Sequence, residues 1–272
     1  MITPLLPLDW PVLNWAPVER DNFGLLREAS DESEVLADVV SEQLGRALPG
    51  PLSEVRLLDY GAEPRSQLSA LLRARVGSYT PVQLGGNTEA DRYLNGLAVD
   101  GQRPAFDAVL LCHVLPYVRR PDRVLSALAR YAEPHAVAIA VGLAPHGGQH
   151  DLALRARDRN PTYPRRYDHA VHLQRWLENH GIPRTVRIVW STARAQQETA
   201  LQQLVEFMLG SADTDLVAAV AATVPRDSDG GAVIRTAHAV LTWPLPRHQL
   251  HPPVDDQRLL SARAAAPSPP DR

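Results

Sequence analysis

The chain has 272 residues, of which 44% are hydrophobic, and its formal net charge is −3. This length supports a sizeable core in one domain with appendages, and the weak net charge with no basic run indicates neither a nucleic-acid partner nor a membrane partner. All 28 basic residues are arginine, which excludes mechanisms that need an internal lysine, such as pyridoxal phosphate Schiff bases, class I aldolases and lysine-dependent phosphate loops.

The first fifty residues are predicted to form an N-terminal unit. Residues 1–19 contain four prolines together with Trp10 and Trp15, a density that favours an extended segment whose tryptophans pack on something else. A short helix follows at about 19–28, and Ser30-Asp31-Glu32 then predicts a helix start with acids in the first turn. Apolar residues at helical spacing continue that helix as far as the Pro-Gly-Pro break at 49–51.

After residue 51 the pattern changes to alternating strands and helices. Apolar strands are predicted at 55–58, 106–112 and 135–141, with helices between them that begin at Pro64 and at Pro121. Strand and helix alternate without hairpin signals, which predicts a parallel, doubly wound sheet.

The C-terminal third continues with a long loop at 143–167 and a helix at about 169–180. A strand at 185–190, a helical pair near 195–222 and a last strand at 232–243 follow. We expect three parts: residues 1–50, the main domain 51–244, and a disordered Pro/Ala/Ser/Arg-rich tail at 245–272.

Cysteine content and hydropathy limit the disulfides, metal sites and cellular location that we expect. Cys112 is the only cysteine, and no zinc-type spacing is present, so we expect no disulfide and no metal. The pairs His169/His172 and His146/His150 are metal-like spacings that recur by chance among ten histidines. The N-terminus lacks a charged leader, and no run reaches 18 apolar residues, so a cytoplasmic protein is expected.

Ligands of open parallel sheets bind beyond the carboxyl ends of the strands. Here that edge brings the loop 59–66 next to residues 112–118, with Gly61 allowing close backbone approach. The alternative is a plain strand-to-helix turn with no ligand. His113 could bind a cofactor, act as a general base or cap a helix, and Cys112 is interpreted most simply as a small buried hydrophobe.

Two blocks carry a resemblance to a known superfamily. The first is Leu57-Leu58-Asp59-Tyr60-Gly61, and the second runs from Ala105 through Phe106-Asp107 and His113-Val114-Leu115-Pro116-Tyr117 to Val118, followed by Pro121. They resemble class I S-adenosylmethionine-dependent methyltransferases. With the helices at 23–30 and 201–209, the layout of residues 20–243 is most similar to histamine N-methyltransferase.

The resemblance implies an α/β, doubly wound, mostly parallel seven-stranded Rossmann-like sheet with an N-terminal helical lid and a helical insert near 195–222. It also implies the cofactor S-adenosylmethionine, S-adenosylhomocysteine as product, and a small-molecule acceptor, an amine or hydroxyl compound of specialised metabolism. The cofactor contacts would be Asp59, Gly61, Glu63, Gln83, Cys112 and His113. Acceptor contacts would be Trp15, Phe23, Glu32, Tyr117 and Tyr167, with His113, Tyr117 and His169 as the catalytic groups.

Several positions depart from that superfamily's pattern. Glu63 and Arg65 stand where the loop would carry small residues, Ser66 replaces an acid, and Gln83 stands where an acid holds the ribose. The short span between Gly61 and Phe106 predicts a stunted crossover after the second strand. Two alternatives therefore remain: a fold relic that binds a ligand or partner without methyl transfer, and an enzyme that performs a cyclisation or elimination on the same scaffold.

Overall fold

The structure is a computed structural model, and it describes residue 26 and residues 28–83, 105–118, 121–163 and 169–245. The helices are α1 (Glu32–Ala47), α2 (Gln67–Arg73), α3 (Pro121–Ala129), α4 (Gly148–Arg159), α5 (His169–Asn179), α6 (Glu198–Leu209) and α7 (Thr214–Ala221). The strands are β1 (Arg56–Tyr60), β2 (Ser78–Val82), β3 (Phe106–Cys112), β4 (Ala132–Gly147), β5 (Thr185–Ala195) and β6 (Ala232–Pro244). Short 3-10 turns lie at Leu52–Glu54 and Leu115–Tyr117.

The strands form one sheet in the order β2-β1-β3-β4-β6-β5. The pairs among β2, β1, β3 and β4 are parallel, whereas β6 runs antiparallel to both β4 and β5. The predicted α/β doubly wound class is therefore confirmed, but the described residues form a six-stranded mixed sheet, and a seventh strand is not confirmed. The predicted stunted crossover after β2 falls at 84–104, outside the described residues.

The central strands are buried on both faces, as their continuous apolar runs predicted. Leu57 packs with α1 and α2 on one face, while the next residue, Leu58, belongs to the core under α3 and α5 on the other. A third core cluster joins α4, α6 and α7 to the far ends of β5 and β6. None of the helices in the described ranges is long and apolar enough to cross a membrane.

The segment predicted as a loop at 143–167 is largely regular structure, which corrects that expectation. Strand β4 continues to Gly147, where it pairs with Thr236, and α4 begins at the next residue. Hydrogen bonds from β6, about ninety residues later in the chain, stabilise this extension, and local glycine and proline content could not indicate them. Likewise β5 extends five residues beyond its predicted end at Trp190.

Gly77 provides a stability test of the loop that leads into β2. A Cβ atom at this position would lie 2.3 Å from the backbone carbonyl oxygen of Ser53, so the Gly77→Ala variant must displace backbone. We expect the free energy of unfolding to fall by about 1–3 kcal/mol in denaturant titration. Gly45→Ala is the matched control, because Gly45 lies inside α1 with nothing within 4 Å of the added atom. It should stabilise by roughly 0.5–1 kcal/mol, and equal effects of the two changes would contradict the predicted clash.

Candidate functional site

The loop after β1 closes onto its own neighbours. Gly61 has a φ of 89°, a conformation that suits glycine, and its N–H donates to the carbonyl oxygen of Val82 over 2.6 Å. Ser66 then caps α2 by accepting a hydrogen bond from the N–H of Ser69 at 3.0 Å. The N–H groups of Gly61 and Ser69 therefore both have hydrogen-bond partners within the protein.

Asp59 lies at the carboxyl end of β1 and is buried, with 3% of its surface exposed. The hydroxyl oxygen of Tyr79 lies 2.6 Å from Asp59 Oδ2 and 2.8 Å from Ser69 Oγ, and the Ser69 hydroxyl donates to the carbonyl oxygen of Glu63 at 2.8 Å. Burial raises the pKa of Asp59 to about 7, although the Tyr79 hydroxyl opposes the shift by donating to the carboxylate.

The number of protons available to these hydrogen bonds favours a protonated Asp59. If its carboxyl group donates to Tyr79, then Tyr79 donates to Ser69 and Ser69 donates to Glu63, so every contact contains one proton. If Asp59 is ionised, Tyr79 donates to it, and one of the two remaining contacts, Tyr79 to Ser69 or Ser69 to Glu63, holds no proton. The predicted cofactor ligand Asp59 is thus used inside the fold.

The other predicted residues near this loop differ in exposure. Glu63, Arg65 and Gln83 are exposed, and Glu63 Oε1 accepts a long 3.5 Å bond from the Arg65 N–H. Cys112 lies at the end of β3, and burial, followed by the nearby Asp59 and Glu32 carboxyl groups, raises its thiol pKa. Its thiol therefore stays protonated, as expected for a small hydrophobe. Cys112 is close enough to both the Asp59 and the Glu32 carboxyl groups to interact with each.

His113 has an unusual backbone conformation immediately after β3. Its φ is 51°, and the described part of the chain contains no other non-glycine residue with a positive φ. Its N–H donates to the carbonyl oxygen of Val141 at 2.9 Å, which continues the β3–β4 ladder by one residue. Left-handed backbone at a residue with a Cβ is strained, and such strain is concentrated at functional sites.

Glu32 is positioned by the junction between α1 and β5. The Asp31 N–H donates to the Thr192 carbonyl oxygen at 3.2 Å, while Asp31 Oδ1 accepts from the Thr192 N–H at 2.6 Å. Ser30 forms a β-bridge with Ala193, and its Oγ accepts from the Glu32 N–H at 3.1 Å. The predicted helix start at 30–32 is confirmed: Asp31 is the N-cap residue, although its side chain makes no cap bond.

His238 completes the site, and the sequence analysis did not identify it. It lies in the middle of β6, paired with Leu143 and Val189, and is fully buried. Its Nε2 lies 2.7 Å from Ser191 Oγ, while its Nδ1 has no hydrogen-bond partner among the described residues. The sequence did hold one indication of its position. Residues two apart on a strand share a face, so His238 lies on the same face as Val240, which packs in the core under α1.

Glu32, His113 and His238 meet at the carboxyl edge of the sheet. The Nε2 atom of His113 lies 3.3 Å from Glu32 Oε1, as an ion-pair contact whose N–H direction does not meet hydrogen-bond geometry. The two imidazole rings are edge-on, with centroids 5.3 Å apart. One donor atom from each residue lies within 4.8 Å of the others. The side chains of Glu32 and His113 are 24% and 31% exposed, whereas Nε2 of His113 and Nδ1 of His238 are themselves enclosed.

The charges of this cluster are coupled. Burial raises the pKa of Glu32, but the His238 and His113 imidazoles outweigh it and lower that pKa to about 2. Burial lowers the pKa of His238 to about 4, so this ring is neutral near pH 7. A neutral His238 cannot supply the positive charge on which the low Glu32 value depends. Glu32 is therefore ionised near pH 7 beside a neutral His238.

The remaining predicted residues are dispersed. His169 is buried at the start of α5, and the next residue, Ala170, packs against Gly142 of β4. Gly142 follows Val141, the residue that pairs with Cys112. Tyr117 is half-buried in the 3-10 turn after β3. Within the described ranges, neither His169/His172 nor His146/His150 belongs to a group of three metal-type ligands. Trp15, Phe23 and Tyr167 lie outside the described residues.

No family model matches the sequence, and no curated protein matches it. Among solved structures, the chain is similar to a candidate type II methyltransferase from Anaeromyxobacter dehalogenans, with 17% identity over 77% of this chain and 97% of that one and a TM-score of 0.50. A candidate methyltransferase from Bacillus halodurans matches with 11% identity over 76% and 98% of the two chains and a TM-score of 0.44.

The plantazolicin methyltransferase BamL, solved with a desmethyl plantazolicin analogue and S-adenosylhomocysteine, matches with 12% identity over 84% and 88% of the two chains and a TM-score of 0.42. None of these matches supports the resemblance to histamine N-methyltransferase. At such identities, what is shared is the fold. The chain has the α/β Rossmann-like fold found in methyltransferases.

Proposed function

We propose that this protein transfers a methyl group from S-adenosylmethionine to a small-molecule acceptor that carries an amine or hydroxyl group. The observation that carries the proposal is the meeting of Glu32, His113 and His238 at the carboxyl edge of a sheet with the methyltransferase fold. This edge is where open parallel sheets bind their ligands. An enclosed carboxylate and two imidazoles there are costly to bury unless they contact a ligand.

The residues around β1 fit the cofactor in part. The positive φ of Gly61 allows a ligand to approach the backbone closely, and Cys112 provides an apolar wall on the neighbouring strand. These two residues would lie against the methionine part, with the exposed Glu63 and Gln83 as polar contacts. Asp59 does not fit as a carboxylate ligand, because Tyr79 already occupies it. The bound cofactor would supply a methyl group on a sulfonium, which is already activated for transfer.

The protein's own contribution is then alignment and exclusion of water. Glu32, fixed by the junction of α1 and β5, would bind the polar group of the acceptor. His113 would line the boundary between cofactor and acceptor and accept a proton where the acceptor must lose one. Tyr117 and His169 would complete the acceptor side, since Tyr117 follows the end of β3 and His169 begins α5, whose Ala170 packs against Gly142 of β4.

A second candidate function is ligand or partner binding without methyl transfer. The specific observation in its favour is the closed hydrogen-bond chain from Asp59 through Tyr79 and Ser69 to Glu63. That chain satisfies internally the polar groups that a cofactor loop would offer to its ligand. If those groups do not open, the crevice serves another molecule.

Calorimetric titration with S-adenosylmethionine and S-adenosylhomocysteine separates the two candidates. We expect micromolar binding of both ligands, and Gly61→Ala should weaken it at least about tenfold, because a Cβ at φ 89° strains the loop and fills the approach. Gly45→Ala, in α1 with open space around it, should bind as the natural protein does. Near-ultraviolet circular dichroism checks that each variant is folded. Absence of binding at millimolar ligand would favour the second candidate, and unchanged binding by Gly61→Ala would remove Gly61 from the cofactor site.

A further inference from the structure

We propose that Glu32, His113 and His238 form a binding site for one divalent first-row transition metal ion. The ligands are a carboxylate oxygen and two imidazole nitrogens. This combination suits zinc, iron, cobalt or nickel better than magnesium or calcium, which prefer oxygen ligands throughout. The inference does not depend on methyl transfer, since it concerns an ion held by the cluster. With that ion bound, Glu32 and His113 would meet the acceptor through the ion and not through the direct contacts proposed above.

The first support is the pair of unpartnered nitrogens. Within the part of the chain that the structure describes, Nε2 of His113 and Nδ1 of His238 are enclosed atoms with no hydrogen-bond partner. His238 is fully buried, so its Nδ1 cannot be satisfied by bulk water. A metal ion coordinated by both nitrogens would satisfy both at once, with the Glu32 carboxylate balancing its charge.

The second support is the way each ligand is oriented. Ser191 Oγ lies 2.7 Å from Nε2 of His238, and when Nε2–H donates to Ser191 the lone pair of Nδ1 is free to coordinate. Glu32 is fixed by the paired contacts of Asp31 with Thr192 on β5. His113 is fixed by its N–H bond to Val141. The three ligands therefore come from rigid elements: a helix start, a strand end and a strand centre.

The distances fit a site that contracts slightly around its ion. The donor atoms lie within 4.8 Å of one another, and the closest of the stated contacts, from His113 to Glu32, is 3.3 Å. Zinc bonds of about 2.0–2.1 Å to nitrogen and oxygen require donors roughly 3–3.5 Å apart. Small side-chain rotations suffice for this change. Three protein ligands also leave at least one position for water or for an oxygen or nitrogen of a bound molecule.

The test is metal titration of the full chain, prepared without a histidine tag and stripped with a chelator. Calorimetry with Zn²⁺ and absorbance spectroscopy with Co²⁺ should both give one ion per chain, with micromolar or tighter affinity and a cobalt ligand-field band. Glu32→Gln should weaken binding at least about tenfold, since it removes a ligand charge and keeps the shape. Ser191→Ala should weaken it by about tenfold through loss of the His238 orientation.

His135→Ala is the matched control. His135 is an exposed histidine 3.6 Å from a carboxylate, Asp107, but it lies in the amino-terminal part of β4, away from the cluster. It should leave stoichiometry and affinity unchanged. Loss of binding in the His135 variant, equal binding by Glu32→Gln and the natural protein, or no binding at millimolar metal would each overturn the proposal. Ser191→Ala changes one small buried group, so it keeps the test decisive if the Glu32 variant does not fold.

Discussion

Replacing Asp59 with asparagine should remove one contribution to stability, the one that falls as the pH rises from about 4 to about 7. Asp59 has a folded-state pKa of about 7, whereas an unfolded aspartate titrates near its ordinary value of about 3.9. Between these values the folded state holds a proton that the unfolded state has lost. The stability contribution is therefore fully present below about pH 4 and is lost as the pH rises through 7. The full difference is about 4 kcal/mol for a shift of roughly three pKa units.

The measurement is the free energy of unfolding from denaturant titrations at several pH values between 4 and 8. The asparagine side chain of the Asp59→Asn variant mimics the protonated carboxyl group, because its amide can donate to the Tyr79 oxygen as the acid does. Asp59→Asn should thus be more stable than the natural protein at pH 8 and similar to it at pH 4. His238 has the opposite dependence, since its pKa is lowered, so the difference between the two proteins isolates Asp59.

Asp107→Asn is the control of opposite sign. The Arg56 guanidinium lowers the pKa of Asp107 through a side-chain hydrogen bond, so its contribution is present at neutral pH and lost as the pH falls. Asp107→Asn should lower stability at pH 7. If Asp59→Asn also lowered stability at pH 8, Asp59 would be an ionised and needed carboxylate, as a cofactor contact would require.

Much of the fold follows from local sequence. The runs at 55–58 and 106–112 are apolar at consecutive positions, and only a strand covered on both faces buries neighbouring residues in this way. Pro121 begins α3 as predicted, and the pattern of strand, helix and strand gives parallel neighbours. These features need no information from distant parts of the chain.

The site is predictable only in part, because its chemistry depends on contacts between distant residues. His113 could be proposed from its position after a strand, whereas Glu32 was proposed only from the family resemblance. His238 lies within an apolar strand and could not be linked to either, since the β4–β6 register that places it is set by long-range pairing. The contact that Asp59 makes could not be predicted for the same reason: its partner Tyr79, twenty residues later, meets it only through the β1–β2 pairing.

His113 provides a test of whether strain is stored at this site. At its φ of 51°, glycine should be favoured over any residue with a Cβ, by roughly 1–2 kcal/mol. We therefore expect His113→Gly to be more stable than His113→Ala in denaturant titration. Elsewhere in regular structure the order is reversed, because glycine costs roughly 0.5–1 kcal/mol relative to alanine. His135, in β4, supplies that reversed control as His135→Gly and His135→Ala.

The two His113 variants also separate strain from ligand binding. Both lack the imidazole, so both should lose Co²⁺ and Zn²⁺ binding by at least about tenfold, although their stabilities differ. A glycine variant that is the more stable and yet binds no metal would mean that the strained backbone is retained for the imidazole it presents. If alanine were instead the more stable residue at 113, as at 135, the backbone would carry no strain there, and its conformation would follow from the turn after β3 alone.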